Sequence, residues 1–246
     1  MLQHLLFAFL TIVAPAWDFH ATQRLKKNPG SVQKIVYYKT LCAWMWIASF
    51  VAVASVGFRK LSTIAPMPDD AIWLFGHAWV RFLVEAVIAL FFGLMFMPYA
   101  TVIWKRLKKR PRTYRSAAAL KSFEYFFPVT WTERRWWVLV CITAGVCEET
   151  LFRGFMLQYL HVLPWTLNLT LALVISSVIF GLNHLYEGIH GVVGSALAGF
   201  LFGLLFLLGG NLLLPIVVHA LVDLRALVIL PTRAEPAPPF RTASNS

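Results

Sequence analysis

Two adjacent carboxylates, Glu148 and Glu149, stand with Arg153 inside an apolar run from Trp136 to Leu163. Charged side chains cost roughly 2.5–3.5 kcal/mol each at the centre of a membrane helix, so these three need a partner, a water-filled cavity or a chemical task. Glu149 and Arg153 are four residues apart and can pair across one helical turn. Glu148 lies about 100° further round the helix and faces elsewhere. One acid can hold the arginine while the other stays free, and the arginine relieves the repulsion between two acids in low dielectric.

Later in the chain, Phe180 and His184 share a helical face, as do His219 and Asp223. An aspartate one turn from a histidine can accept its ring N–H and fix tautomer and orientation. Glu148, Glu149, Arg153, His184, His219 and Asp223 are expected to form one site. Two chemistries fit them. Glu148 in a partly apolar cavity can act as a general base on water, with a histidine sharing the proton or stabilising an oxyanion. Alternatively, Glu148, His184 and His219 supply the two-histidine, one-carboxylate set known for catalytic zinc with an open position for water. The chain contains no His-Glu-x-x-His and no Gly-x-Ser-x-Gly elbow.

The elements that must carry these residues follow from composition. Of 246 residues, 59% are hydrophobic and only 13% charged, whereas a soluble domain carries about 25% charged residues. The apolar runs are continuous and about 18–25 residues long, which excludes alternating transmembrane strands. The fold expected is all-α: a polytopic transmembrane bundle of about seven spans, with the site in a cavity among the last four. The first run covers 2–17 and ends at Asp18; its length suits a short span or an interfacial helix. The others are Ile35–Phe58, Ala71–Trp104, Trp136–Leu160, Thr166–His184, Gly191–Leu208 and Leu212–Leu230. Arg81 and Glu85 can pair within the third, as an interfacial pair or in a polar cavity. Ser195, Gly199 and Gly203 form a small-residue stripe that lets a neighbouring helix approach, and Gly188, Gly191 and Gly194 before it suggest a flexible or tightly turned entry.

The net charge of +11 does not point to nucleic acid, because the basic residues cluster between apolar runs instead of forming a groove with interleaved aromatics. Arg24, Lys26, Lys27 and Lys34 make one cluster; Lys105, Arg106, Lys108, Lys109, Arg110, Arg112, Arg115, Lys121, Arg134 and Arg135 make the other. With both in the cytoplasm, every connection obeys the positive-inside rule, the N-terminus lies outside and the C-terminus inside. The chain reads as a bacterial inner-membrane protein whose partner is the lipid bilayer. Cys42, Cys141 and Cys147 all lie in apolar runs and form no disulfide framework or zinc pair. Three regions are expected: an N-terminal transmembrane region with basic cytoplasmic loops (1–135), a catalytic transmembrane domain (136–230), and a disordered proline-rich tail (231–246).

Glu148-Glu149-x-x-x-Arg153, then Phe180-x-x-x-His184, then His219-x-x-x-Asp223, in this order on successive spans, resembles the motif series of the CPBP family. These are CAAX prenyl proteases and bacteriocin-processing or Abi-type membrane proteins, relatives of the type II CAAX endopeptidase. The resemblance covers roughly Trp136 to Leu230. It implies an intramembrane endopeptidase acting on a membrane-embedded or lipidated peptide in a cavity open to the cytoplasm. By motif position, Glu148 would activate water and His184 would be its catalytic partner. Glu149 and Arg153 would organise the site, Phe180 would contact substrate, and His219 and Asp223 would complete the polar cavity. The eukaryotic CAAX enzymes usually carry asparagine where this chain has Asp223, and an ionised aspartate cannot donate to an oxyanion. Metal-dependent and metal-free glutamate mechanisms have both been proposed for the family, and the metal-free one is preferred here. Competing functions are a non-proteolytic scaffold or immunity protein of the same fold and a proton-coupled transporter. The sequence leaves oligomeric state open. With simple helix boundaries His184 lies roughly 10 Å from the level of Glu149 along the membrane normal, so tilted helices or a later start to the fourth span must bring them together.

Overall fold

The computed structural model describes residues 1–63, 76–108, 125–162, 166–230 and 232. Among these, the chain is all helix apart from one isolated bridge between Thr63 and Asn211. Helix α1 is Leu2–Lys27, α2 Ser31–Val56, α3 the short Phe58–Ser62 and α4 Ala78–Leu107. α5 runs Trp131–Glu149, widens to a π-helix over Thr150–Met156 and finishes as Leu157–Val162. α6 is Leu169–Leu182, a 3₁₀ turn covers Leu185–Glu187, and α7 (Gly188–Gly209) and α8 (Leu213–Ile229) complete the fold. Leu2–Lys27, Ser31–Val56, Ala78–Leu107 and Leu185–Gly209 are long and apolar enough to cross a membrane, and Leu169–Leu182 is a shorter apolar helix. This is a multi-pass integral membrane protein.

Several boundaries differ from the sequence expectation, each for a local reason. α1 does not stop at Asp18, because Tyr37 of α2 hydrogen-bonds that carboxylate and the helix carries it onward to the basic cluster. α5 starts at Trp131 instead of Trp136, because Thr130 and Glu133 form a capping box: the Glu133 amide donates to Thr130 Oγ1, and Glu133 Oε2 accepts from the Thr130 amide. Glu133 is also held by buried Lys34 of α2 at 3.4 Å. The third apolar run forms one helix from Ala78 with Pro98 inside it; its expected start at Ala71 lies outside the described residues, as do Lys109, Arg110, Arg112, Arg115, Lys121 and the tail from 233. Arg81 and Glu85 do pair at 2.8 Å, but with side chains 60% and 49% exposed they line no cavity.

In lipid, helices gain little from hiding apolar surface, so close packing and polar contacts decide how they assemble. α5 is central. It packs along α2 on one side and α8 on the other, while α6 packs along α7 and α4 lies against α8. Gly145 explains the approach of α8: a Cβ there would stand 2.8 Å from the Ile216 carbonyl oxygen and 3.0 Å from the Ala220 Cβ. Gly203 of the small-residue stripe plays the same part for α6, since a Cβ would meet Leu173. α1 is tied in by its backbone. At Phe9–Val13 it widens to a π turn, so the Ala14 amide bonds the Phe9 carbonyl and leaves Leu10 without its usual donor. Pro15 has no N–H to offer. The Asn183 side-chain amide, just past the end of α6, takes the Leu10 carbonyl at 3.1 Å.

Gly145→Val should force α5 and α8 apart at a cost of about 1–3 kcal/mol, as overpacking usually does. Gly93→Val on α4, where a Cβ meets nothing within 4 Å, is the control. Thermal unfolding in detergent should show a lowered midpoint for the first variant and not the second.

Candidate active site

Glu149 is wholly buried, and its Oε1 serves two partners. Arg153 Nη1 donates to it at 3.1 Å across one turn of α5, and His219 Nδ1 of α8 donates at 2.7 Å. The other arm of the guanidinium, Nη2, donates to the Gly199 carbonyl of α7 at 2.8 Å. One carboxylate and one guanidinium thus join α5, α7 and α8. The aromatic rings of Phe180 and Phe202 cover the guanidinium at 4.6 and 5.4 Å, and Phe202 stacks on the His219 imidazole at 4.7 Å. Only glycine fits at 199: a Cβ would stand 2.9 Å from Phe180 and 3.2 Å from Arg153 Nη2.

The π-helical stretch begins directly after this pair of glutamates and contains Arg153. Its widened turns leave backbone carbonyls accessible to side chains, and such turns recur at functional sites. Here Thr150 Oγ1 donates to the Val146 carbonyl at 2.7 Å, and Ser176 Oγ of α6 donates to the Phe152 carbonyl at 3.0 Å.

Helical spacing predicts that Asp223 accepts the His219 ring N–H. The structure gives that position to Glu149. His219 Nε2 is 3.6 Å from Asp223 Oδ2 and 3.7 Å from Glu148 Oε2, beyond a hydrogen bond to either but close enough for charge attraction. The reason is the close approach at Gly145, which brings α8 against the face of α5 that carries Glu149.

Glu148, turned away from its neighbour, lines a cavity together with His184. Its Oε2 is buried and has no hydrogen-bond partner among the described residues. His184 lies beyond the end of α6 and donates from Nδ1 to the Phe180 carbonyl at 3.1 Å. No hydrogen bond or ion pair joins Glu148 to His184 among the described residues; the imidazole within 4 Å of Glu148 is His219. A later start to the fourth span does not bring His184 towards the glutamates, since α5 starts earlier. The brevity of α6 helps instead: 14 residues reach about 21 Å, less than a hydrocarbon core of about 30 Å. Its end therefore need not lie at the membrane surface. Phe180 also lines the cavity, but it is 3% exposed, and its contacts are with Arg153, Phe152, His184 and His219.

The zinc alternative fits poorly. Among the described residues no three His, Cys, Asp or Glu side chains converge as ligands for one ion. Within the set Glu148, His184 and His219, the Nδ1 bonds to Phe180 and Glu149 leave both Nε2 atoms available, as metal-ligating histidines do, but only His219 stands within 4 Å of Glu148, so the three do not converge.

The cavity also contains residues that sequence reasoning missed. Asp18 of α1 and Tyr37 of α2 line it, with Tyr37 Oη donating to Asp18 Oδ1 at 2.5 Å, and Tyr186 joins them after His184. The one sequence signal was Asp18 itself, an acid inside what proves to be a 26-residue apolar helix.

Compared with known families, residues 130–225 match the family described as Type II CAAX prenyl endopeptidase Rce1-like. The chain carries an Rce1-like CPBP-family domain. That span takes in the glutamate pair, Arg153, Phe180, both histidines and Asp223 and leaves α1 to α4 outside it. The match over residues 130–225 suggests an intramembrane protease. No curated protein and no solved structure matches the chain.

Arg153→Ala should cost about 3–5 kcal/mol, because it leaves Glu149 buried with a lost counter-charge. Arg153→Lys keeps the charge but cannot bridge Glu149 and Gly199 with a planar fork, so its loss should be smaller. Unfolding midpoints of the two variants beside wild type check the order.

Proposed function

We propose that this protein is an intramembrane endopeptidase that hydrolyses a peptide bond in a membrane-associated protein or peptide, prenylated chains included, using water activated by Glu148. The observation that carries the proposal is the Glu148 carboxylate: a buried oxygen with no hydrogen-bond partner among the described residues, in a cavity shared with His184. In the reaction, Glu148 takes a proton from water as the water oxygen bonds to the scissile carbonyl carbon. The tetrahedral intermediate then collapses, the C–N bond breaks, and Glu148 returns the proton to the leaving nitrogen. His184 has Nε2 left for the substrate and in its imidazolium form donates to the oxyanion.

Glu149 and Arg153 position the site by holding His219 against Glu148. Asp223 shares His219 Nε2 with Glu148 and acts on the charge of that imidazole instead of donating to the oxyanion. Phe180 packs over Arg153 and forms the wall against which substrate lies. No step passes through a metal.

Seven membrane-crossing segments, α1, α2 and α4 to α8, make up the bundle. The cavity is lined by α1, α2, α5, the end of α6 and the turn after it, and not by the last four helices together, since none of its lining residues comes from α7 or α8. The basic clusters support a cytoplasmic position for the Lys34–Glu133 end of the bundle, and a bacterial inner membrane is the setting proposed. Residues 1–135 form the flanking transmembrane region and 136–230 the catalytic domain, while the tail 231–246 lies outside the described residues apart from Thr232.

The test is cleavage of a lipidated peptide library by purified protein. Glu148→Gln and His184→Ala should each lower kcat/KM by about 10²–10⁴ while leaving the unfolding midpoint near wild type. Strong chelators should leave the wild-type rate unchanged. Equal cleavage by wild type and both variants would remove the assignment.

A further inference from the structure

Among the described residues of α1, α5 and α8, every acid but one has a lysine, arginine or histidine nitrogen within 4 Å. Glu133 has Lys34 at 3.4 Å. Glu149 has Arg153 at 3.1 Å and His219 at 2.7 Å. Glu148 and Asp223 flank the His219 imidazole at 3.7 and 3.6 Å. Asp18, 7% exposed, has no cationic side chain within 4 Å among the described residues. Its side-chain hydrogen bond comes from a neutral phenol, Tyr37, at 2.5 Å.

A carboxylate inside a membrane helix is costly, and such residues mark substrate or ion pathways. Asp18 has only a phenol in contact, and the group able to carry positive charge in the cavity lining is His184, which makes no ion pair with it among the described residues. Asp18 sits where a charge could be received. It lines the same cavity as Glu148 and His184, and none of the residues lining that cavity is a lysine or arginine. The lining also has apolar members, Leu10, Ala14, Leu41, Trp44 and Leu151. The acid is also fixed in place. Tyr37 holds one oxygen, and the Asn183 amide bonds the Leu10 carbonyl two turns earlier on the same helix, which pins α1 beside His184.

We infer that Asp18, oriented by Tyr37, is a specificity-determining residue that receives a cationic side chain, lysine or arginine, of the substrate next to the bond being cut. The inference rests on the endopeptidase reading for the phrase "being cut", and on the cavity alone for the cation. Glu148 reacts, and Asp18 selects. A substrate of the matching kind places an apolar group against Leu10 and Trp44 and an ammonium or guanidinium against Asp18. Glu148→Gln would keep this selection, since the selecting carboxylate lies on another helix.

The experiment uses the full-length protein in nanodiscs and three lipidated peptides identical except at the residues flanking the cleaved bond, which are lysine, norleucine or glutamate. Binding is measured to the Glu148→Gln variant, so that no turnover intervenes, and cleavage is measured with wild type. The lysine peptide should bind at least tenfold more tightly than the norleucine peptide, and the glutamate peptide most weakly. Adding Asp18→Asn should bring the lysine-to-norleucine ratio to within twofold, whereas Asp18→Glu should retain a preference. Because each ratio compares two peptides on one preparation, a lower folded fraction cancels. No lysine preference in the parent, or a tenfold preference that survives Asp18→Asn, overturns the inference. The two readings fail separately. A lysine preference in binding without cleavage of any peptide would sink the peptidase and leave the cation subsite; cleavage lost in Glu148→Gln without a lysine preference would do the reverse.

Discussion

A single buried carboxylate, shared between an arginine and a histidine, sets the arrangement of the half of the bundle from α5 to α8. Glu149 cannot be satisfied by either partner alone, because a charge taken out of water needs both a counter-ion and hydrogen bonds in good geometry. Arg153 reaches it along α5 and extends to the Gly199 backbone of α7, and His219 reaches it from α8. Three helices are thereby held in one register by groups that have no comparable alternative partner. In a bilayer, where apolar packing discriminates weakly between arrangements, such a network supplies the specificity.

The glycines follow from the same constraint. A guanidinium, two phenylalanine rings and an imidazole occupy the space between α5, α6, α7 and α8, which is possible only if the backbones approach closely elsewhere. Gly145 lets α8 come near enough for His219 to reach Glu149, and Gly199 leaves room for Phe180 over Arg153. Placing the pair of glutamates just before a π-helical stretch also separates their tasks. Glu149 faces the network and Glu148 faces the cavity, each with one buried oxygen that has no hydrogen-bond partner among the described residues.

Much of this was legible in the sequence, and the misses have physical causes. The Glu149–Arg153 pair follows from i, i+4 spacing, the small-residue stripe from its period, and the membrane class from continuous apolar runs. The Thr130-x-x-Glu133 capping box was readable too, but an arginine pair at 134–135 obscures the helix start. The partner of His219 was not readable. Spacing within α8 points to Asp223, and only the close approach of another helix gives the hydrogen bond to Glu149. Asp18 was out of reach for the same reason. Its partner Tyr37 lies across a turn on a different helix, and its place beside Glu148 depends on how α1 packs, which no local pattern encodes.

The bond between the Asn183 amide and the Leu10 carbonyl spans 173 residues of sequence. A cavity walled by α1 and α2 and furnished by α5, Phe180 and the turn after α6 cannot close before that turn has been made. Helices that emerge early must wait in the bilayer until α6 arrives to occupy the carbonyl that the π turn and Pro15 leave open. Glu148 therefore has no enclosed chamber until α6 and the turn carrying His184 and Tyr186 have joined the helices inserted before them.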